Sequence, residues 1–140
     1  MTDEDRPLSD SGIKDSKKLA SKLHKRDYNF DLILTSPAIR AITTAQLVAN
    51  RLGYKQKFIT VNQHIYAAAL EDLLKVIVKT QKKVDSLLLV GHNPSISSLA
   101  KYLAGEPISM PTCALLELKF EIKNWEQISA DALIKHTLLN

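Results

Sequence analysis

Two short segments constrain this chain more than any others: DLILTS at residues 31–36 and SLLLVGH at residues 86–92. Each carries a continuous apolar run that stops abruptly at a polar residue or glycine. Successive side chains of a strand point to opposite faces, so an uninterrupted apolar run needs cover on both sides. The segments around them carry helix punctuation. Ser9 or Ser11 caps a first helix whose face holds Ile13, Ala20 and Leu23. Ser36 reads as an N-cap and Pro37 as the first residue of a second helix, running through Ala45, Val48 and Leu52 to Gly53. FITV at 58–61 reads as a strand, and LEDLLKVIVKTQKK at 70–83 as a helix with acidic residues first and lysines last. PSISSLAKYL at 94–103 makes another helix, ended by Gly105. The tail changes character: ALLELKFEI and part of ALIKHTLL alternate apolar with polar, as edge or antiparallel strands do. Apolar strands alternating with helices define an α/β sheet covered on both faces.

With 140 residues the chain forms one domain, 1–140. Its 45% hydrophobic and 24% charged residues match a folded globular protein rather than a disordered one. No apolar run approaches the roughly 20 residues that span a bilayer, and MTDEDRPLSD at the start is polar and acidic. The expectation is a cytoplasmic protein with no signal peptide and no membrane association. Cys113 is the only cysteine, which rules out an intramolecular disulfide and fits a reducing compartment. It reads as a small hydrophobe. The net charge of +4 comes from cations spread along helices, among them Lys17, Lys18, Lys22, Lys25 and Arg26, without interleaved aromatics. They read as solvated faces, so no nucleic-acid partner is expected, while the modest positive field favours anionic substrates.

Ligands of open α/β sheets collect beyond the carboxyl ends of the strands. Two such ends carry chemistry here, TSPAIR at 35–40 and GHNPS at 91–95. Free N–H groups at a helix start attract anions. Arg40 lies one turn into its helix, where a guanidinium can reach back over the strand end and grip phosphate oxygens in bidentate fashion. His92 sits on the connection itself, where an imidazole can donate to a phosphoryl oxygen or move a proton. Together they suggest phosphate binding or phosphoryl transfer. The same residues also fit a turn whose histidine caps backbone groups, and a solvated helix arginine. Ser36 has no base evident in the sequence, and no GxxxxGK[ST] or GxGxxG stretch supports nucleotide binding.

Five stretches in order tip this balance: DRPLSDSG at 5–12, DLILTSPAIRAITTAQLVA at 31–49, IYAAALEDLL at 65–74, LLLVGHNPSISSLAKYL at 87–103 and MPTCALLELKF at 110–120. As a set they resemble the SixA-type phosphohistidine phosphatases of the histidine phosphatase superfamily. The resemblance implies a phosphoglycerate mutase-like fold: three layers, with helices on both faces of a mixed, mostly parallel sheet. It implies no metal and no cofactor. The family's pocket holds two His and two Arg; one His attacks phosphorus and becomes a phosphohistidine that water hydrolyses. Arg40 matches the second Arg and His92 the second His, which makes both catalytic and phosphate-binding. Arg6 of DRPL is a further phosphate-binding candidate that partly replaces the first Arg, with a salt bridge to Asp3 or Asp5 as the other reading. The implied partner is a phosphorylated protein, such as a phosphohistidine signalling domain, or a small phosphate ester.

The family's Arg-His motif, on a first strand upstream of DRPL, has no counterpart in this sequence. The expectation is a domain incomplete at its N-terminus, lacking the central strand next to the one that ends at His92. Two strands would then face a gap. Such a chain is expected to be an inactive or impaired phosphatase; the alternative is a non-catalytic phospho-binding decoy. Of the other histidines, His24 reads as surface and His136 as a strand residue, while His64 reads as a loop residue near the pocket rim. Tyr66 and Leu74 read as core, and Trp125 as packing near the last strands.

Overall fold

The computed structural model describes residues 1–139. In chain order it contains α1 (Asp10–Lys25), β1 (Leu32–Thr35), α2 (Ile39–Leu52), β2 (Ile59–Val61), α3 (Leu70–Val78), β3 (Leu87–Val90), α4 (Ser95–Ala104), β4 (Leu115–Phe120) and β5 (Leu133–Leu139). The two apolar runs pair with each other. β1 lies at the centre of a three-stranded parallel sheet of order β2-β1-β3, with Leu32 opposite Leu87 and Thr35 opposite Val90. The alternating tail forms an antiparallel pair, β4 with β5, irregular at Lys119/Phe120.

The two-sided cover follows from the pleat. Ile33 and Leu88 point to one face and meet Leu19, Ala20 and Leu23 of α1 and Ala45, Val48 and Ala49 of α2. Leu34 points to the other, against Leu73, Val76 and Ile77 of α3 and Leu99 and Leu103 of α4. Helices therefore flank both faces of a parallel sheet.

Local chemistry sets the helix ends. The Ser9 hydroxyl accepts from the Gly12 N–H at 3.1 Å to start α1, and the Asp72 carboxylate takes the Ala69 N–H at 2.8 Å to start α3. Gly53 closes α2 at φ 73°, a left-handed conformation that costs glycine little. Several boundaries differ from the sequence reading. α2 begins at Ile39 with Ala38 as N-cap, two residues beyond the expected Pro37. Ser36 still accepts the Ala38 N–H at 3.2 Å, but the chain stays extended there. α3 stops at Val78, because Thr80 N–H turns in on the Ile77 carbonyl at 3.0 Å and the TQKK segment leaves the helix. β2 starts at Ile59, since Phe58 belongs to a short 3₁₀ turn.

The strands make two sheets rather than one. Among the described residues no strand joins β3 to β4. Between them lies a cavity of about 1030 Å³ lined by Leu87–Val90 on one side and Leu115–Phe120 on the other. Leu8, Gly12 and Leu19 face it from one layer and Ile96, Leu99 and Leu103 from the other, and Arg6, Arg40 and His92 also line it. The mixed sheet expected from the resemblance is thus divided, because an edge of β3 has no neighbouring strand to pair with its N–H and C=O groups.

Leu23 and Leu73 are both 0% exposed, on opposite faces of the sheet. Leu23→Ala and Leu73→Ala should each cost about 2–5 kcal/mol in urea unfolding. A loss below about 1 kcal/mol at either position would contradict the two-faced core.

Candidate functional site

Parallel pairing places the residues that follow β1 and β3 side by side. The ladder continues one bond further, from Ser36 N–H to the Val90 carbonyl at 3.0 Å. Gly91 then passes close to its neighbours. A Cβ there would stand 3.1 Å from Ile96 Cγ1 and 3.3 Å from Ile65 Cγ2. A side chain there would push these isoleucines aside by a few tenths of an ångström, and the next residue, His92, faces the site.

The His92 backbone is fixed by the start of α4, its carbonyl accepting the Ile96 N–H at 2.9 Å and the Ser95 hydroxyl at 3.0 Å. Its Nε2 lies 2.7 Å from Ser36 Oγ. Ser36 is fully buried, so the hydroxyl that the sequence assigns to helix capping also orients the imidazole. The Tyr66 ring stands edge-on to His92, centroids 5.6 Å apart. Burial and, secondarily, the positive charge of Arg40 lower the His92 pKa, against a smaller opposing effect of Asp3. The imidazole is thereby kept neutral at neutral pH.

Arg40 occupies the first turn of α2 with its side chain only 22% exposed. Its Nη1 donates to the Asp3 carbonyl at 2.8 Å and its Nη2 to Asp3 Oδ2 at 3.1 Å. The Tyr66 hydroxyl donates to that same oxygen at 2.6 Å. Arg6 Nη2 reaches Asp3 Oδ1 at 3.2 Å. Ile39 N–H donates to the Glu4 carbonyl at 2.9 Å, which lays the N-terminal segment over the start of α2. The Tyr66 and Arg40 hydrogen bonds hold the Asp3 carboxyl below its ordinary pKa, and the carboxylate in turn raises that of Tyr66.

The structure therefore brings Arg40 and His92 together, with Arg6 at an exposed rim where it pairs with Asp3 rather than Asp5. Tyr66 departs from its reading as core. Its ring is half-buried and its hydroxyl belongs to the site, because Asp3 supplies an acceptor 63 positions away in the chain. Ser36 and Asp3 were the other residues the sequence did not assign here. His64 is exposed, as is His24, and His136 lies on β5, 3.4 Å from Glu106. Trp125 packs under the strands as expected, donating to the Val84 carbonyl at 2.7 Å. Among the described residues no group of three or more His, Cys, Asp or Glu is placed to hold a metal ion, and no helix is long and apolar enough to cross a membrane. Chemically, the cluster is a set of convergent donors, two guanidinium groups and a phenol hydroxyl on one carboxylate with a neutral imidazole beside them. Such a set suits an oxyanion.

Comparison with known proteins bears on the fold and the family. The profile of the histidine phosphatase superfamily (branch 1) matches residues 2–63. A structure from Agrobacterium tumefaciens, assigned as the phosphohistidine phosphatase SixA, superposes with a TM-score of 0.78 at 31% identity, over 86% of this chain and 80% of that one. A SixA protein histidine phosphatase complexed with tungstate gives a TM-score of 0.77 at 20% identity, over 99% and 84%, a likeness of fold. An uncharacterized chloroplastic protein of Arabidopsis thaliana is 28% identical over 138 residues, which is 93% of this chain and 63% of that protein. An uncharacterized Picosynechococcus protein is 34% identical over 105 residues, 73% of this chain and 62% of its own. The chain thus spans under two thirds of the length of these two relatives.

The lowered pKa of His92 has a measurable sign. Below its ordinary value of 6.5 the unfolded state takes up the proton first. Stability should therefore fall on acidification from about 6.5 down to the folded-state pKa, and be independent of this group above 6.5. Arg40→Gln removes a charge that disfavours the imidazolium, so the His92 titration followed by NMR should move to higher pH. An unchanged or lower midpoint would show that Arg40 and His92 do not share a field.

Proposed function

Because this chain belongs to the histidine phosphatase superfamily, we propose that its site serves hydrolysis of a phosphorylated substrate, either a protein side chain such as phosphohistidine or a small phosphate ester. Arg40 and His92 are the catalytic, phosphate-binding pair, and Arg6 adds positive charge from the rim. The observation that carries this reading is the convergence of Arg40 and Tyr66 on one anionic oxygen, with His92 against the tyrosine ring.

The roles follow from charge. The guanidinium supplies a fixed cation and parallel N–H donors for equatorial phosphoryl oxygens. Ser36 Oγ accepts the Ala38 N–H, so its own proton is free to go to His92 Nε2; the neutral ring then carries its one N–H on Nδ1 and offers it without adding a second repelling cation. In the mechanism the family implies, a histidine nitrogen attacks phosphorus. The N–P bond forms as the bond to the leaving group breaks, and that group departs with a proton. Water then attacks the phosphohistidine, the N–P bond breaks, and inorganic phosphate leaves with the histidine restored. Of the four histidines in this chain, only His92 lies in the cluster, and its place is beside the oxygens. The described residues therefore act as the clamp without a nucleophile. The 140-residue chain binds phosphate and does not turn it over, an impaired phosphatase in isolation.

The test is an assay of the purified 140-residue chain with p-nitrophenyl phosphate and a phosphohistidine peptide. No turnover sensitive to His92→Ala is expected, since loss of a nucleophile costs on the order of 10⁶ in rate. Turnover abolished by His92→Ala would overturn the nucleophile-free reading.

A further inference from the structure

Resting on the clamp described above, we propose that Asp3 is an intramolecular anion that closes the phosphate subsite, and that the Tyr66 hydroxyl is a further oxyanion-binding group which passes from Asp3 to the incoming ligand. The Asp3 carboxylate already holds the contacts an oxyanion would take. Arg40 and Tyr66 donate to its Oδ2 at 3.1 and 2.6 Å, while Arg6 pairs with its Oδ1 at 3.2 Å. The Tyr66 hydroxyl has one proton to donate and the Arg40 Nη2 contact faces the same oxygen, so a phosphoryl oxygen that takes these contacts displaces the Asp3 carboxylate from them.

The segment that carries Asp3 is tied to α2 by two backbone contacts, the Asp3 carbonyl to Arg40 Nη1 at 2.8 Å and the Glu4 carbonyl to the Ile39 N–H at 2.9 Å, so the Asp3 side chain can swing away while the segment stays in place. Its internal bonds are those of local turns, from Asp5 N–H to the Thr2 carbonyl and from Arg6 N–H to the Asp3 carbonyl, each 3.2 Å. Residues 1–7 contribute nothing to either apolar core cluster. The Asp3 side chain is 54% exposed, so water receives the carboxylate once it is displaced. Arg40 is the opposite case. At 22% exposure its guanidinium is poorly hydrated and needs an anion in place, whichever anion that is. Tyr66 stays where it is, because its ring stands edge-on to His92. Its hydroxyl, relieved of Asp3, points at the same space. The exchange thus conserves charge at Arg40: the Asp3 carboxylate gives up its contacts to Arg40 Nη2, Tyr66 and Arg6 and takes water in their place, while the oxyanion takes over the buried donors.

Titration of inorganic phosphate into the 140-residue chain at constant pH and ionic strength, followed by calorimetry, decides the matter, with circular dichroism confirming that each variant is folded. Asp3→Asn should tighten phosphate binding by about three- to tenfold, whereas Asp5→Asn, which removes the same charge two positions away, should leave it unchanged. Adding Tyr66→Phe to Asp3→Asn should weaken binding again by about threefold or more. Arg40→Gln should abolish it in either background. If binding depends on Arg40 but Asp3→Asn leaves it unchanged or weaker, Asp3 is a structural staple and the closing role is overturned while the clamp stands. Equal tightening by Asp5→Asn would reduce the effect to net charge and overturn it likewise. If Tyr66→Phe changes nothing, the tyrosine is no ligand. Binding that ignores Arg40→Gln, or no binding in any variant, would overturn the clamp itself.

Discussion

Everything at the site depends on the parallel registration of β1 against β3. Leu32 to Thr35 pair with Leu87 to Val90 without a shift, so both strands run out at the same level. Ser36 on one and His92 on the other then meet at 2.7 Å. A slip of one residue would reverse which side chains face each helical layer, and the two-sided core forbids that. The apolar residues that drive folding thus also fix where a hydroxyl and an imidazole stand. Gly91 completes the junction, where a Cβ would crowd the Ile65 and Ile96 side chains at 3.1–3.3 Å.

On this frame the chemistry is a matter of charge placed without much water. Arg40 is mostly shielded, His92 is held neutral by burial and by Arg40, and a carboxylate from a segment outside the core satisfies the guanidinium. The same features that stabilise this arrangement prepare it for an anion. A guanidinium that must have a counter-ion, a donor phenol beside it and an imidazole that does not compete for the anion's charge form a site whose resident can be exchanged. Ser36 shows how closely fold and site are coupled, because one buried hydroxyl both receives the Ala38 N–H and positions His92.

Much of this was legible in the sequence, for reasons that differ from residue to residue. The strands could be read because consecutive apolar residues need cover on both sides, and Ser9, Gly53 and Gly105 marked helix ends through local backbone chemistry. That Arg40 and His92 lie near one another could be read because both follow the ends of strands in one parallel sheet. Ser36 misled. Serine followed by proline is a common helix start, but here the chain stays extended through Ala38 and the helix begins at Ile39, while the serine hydroxyl meets His92 across the sheet. Tyr66 was beyond sequence reasoning, because a tyrosine's aromatic body argues for burial, and only the fold shows that Asp3 meets its hydroxyl. The cavity between β3 and β4 was anticipated from the resemblance and not from periodicity, which says nothing about which strands become neighbours.

The most direct test of the account is a crystal structure of this chain with tungstate. The account places the oxyanion against the Arg40 guanidinium, the His92 imidazole and the Tyr66 hydroxyl, with the Asp3 carboxylate displaced toward solvent. Tungstate bound elsewhere while Asp3 keeps its contacts to Arg40 and Tyr66 would contradict it.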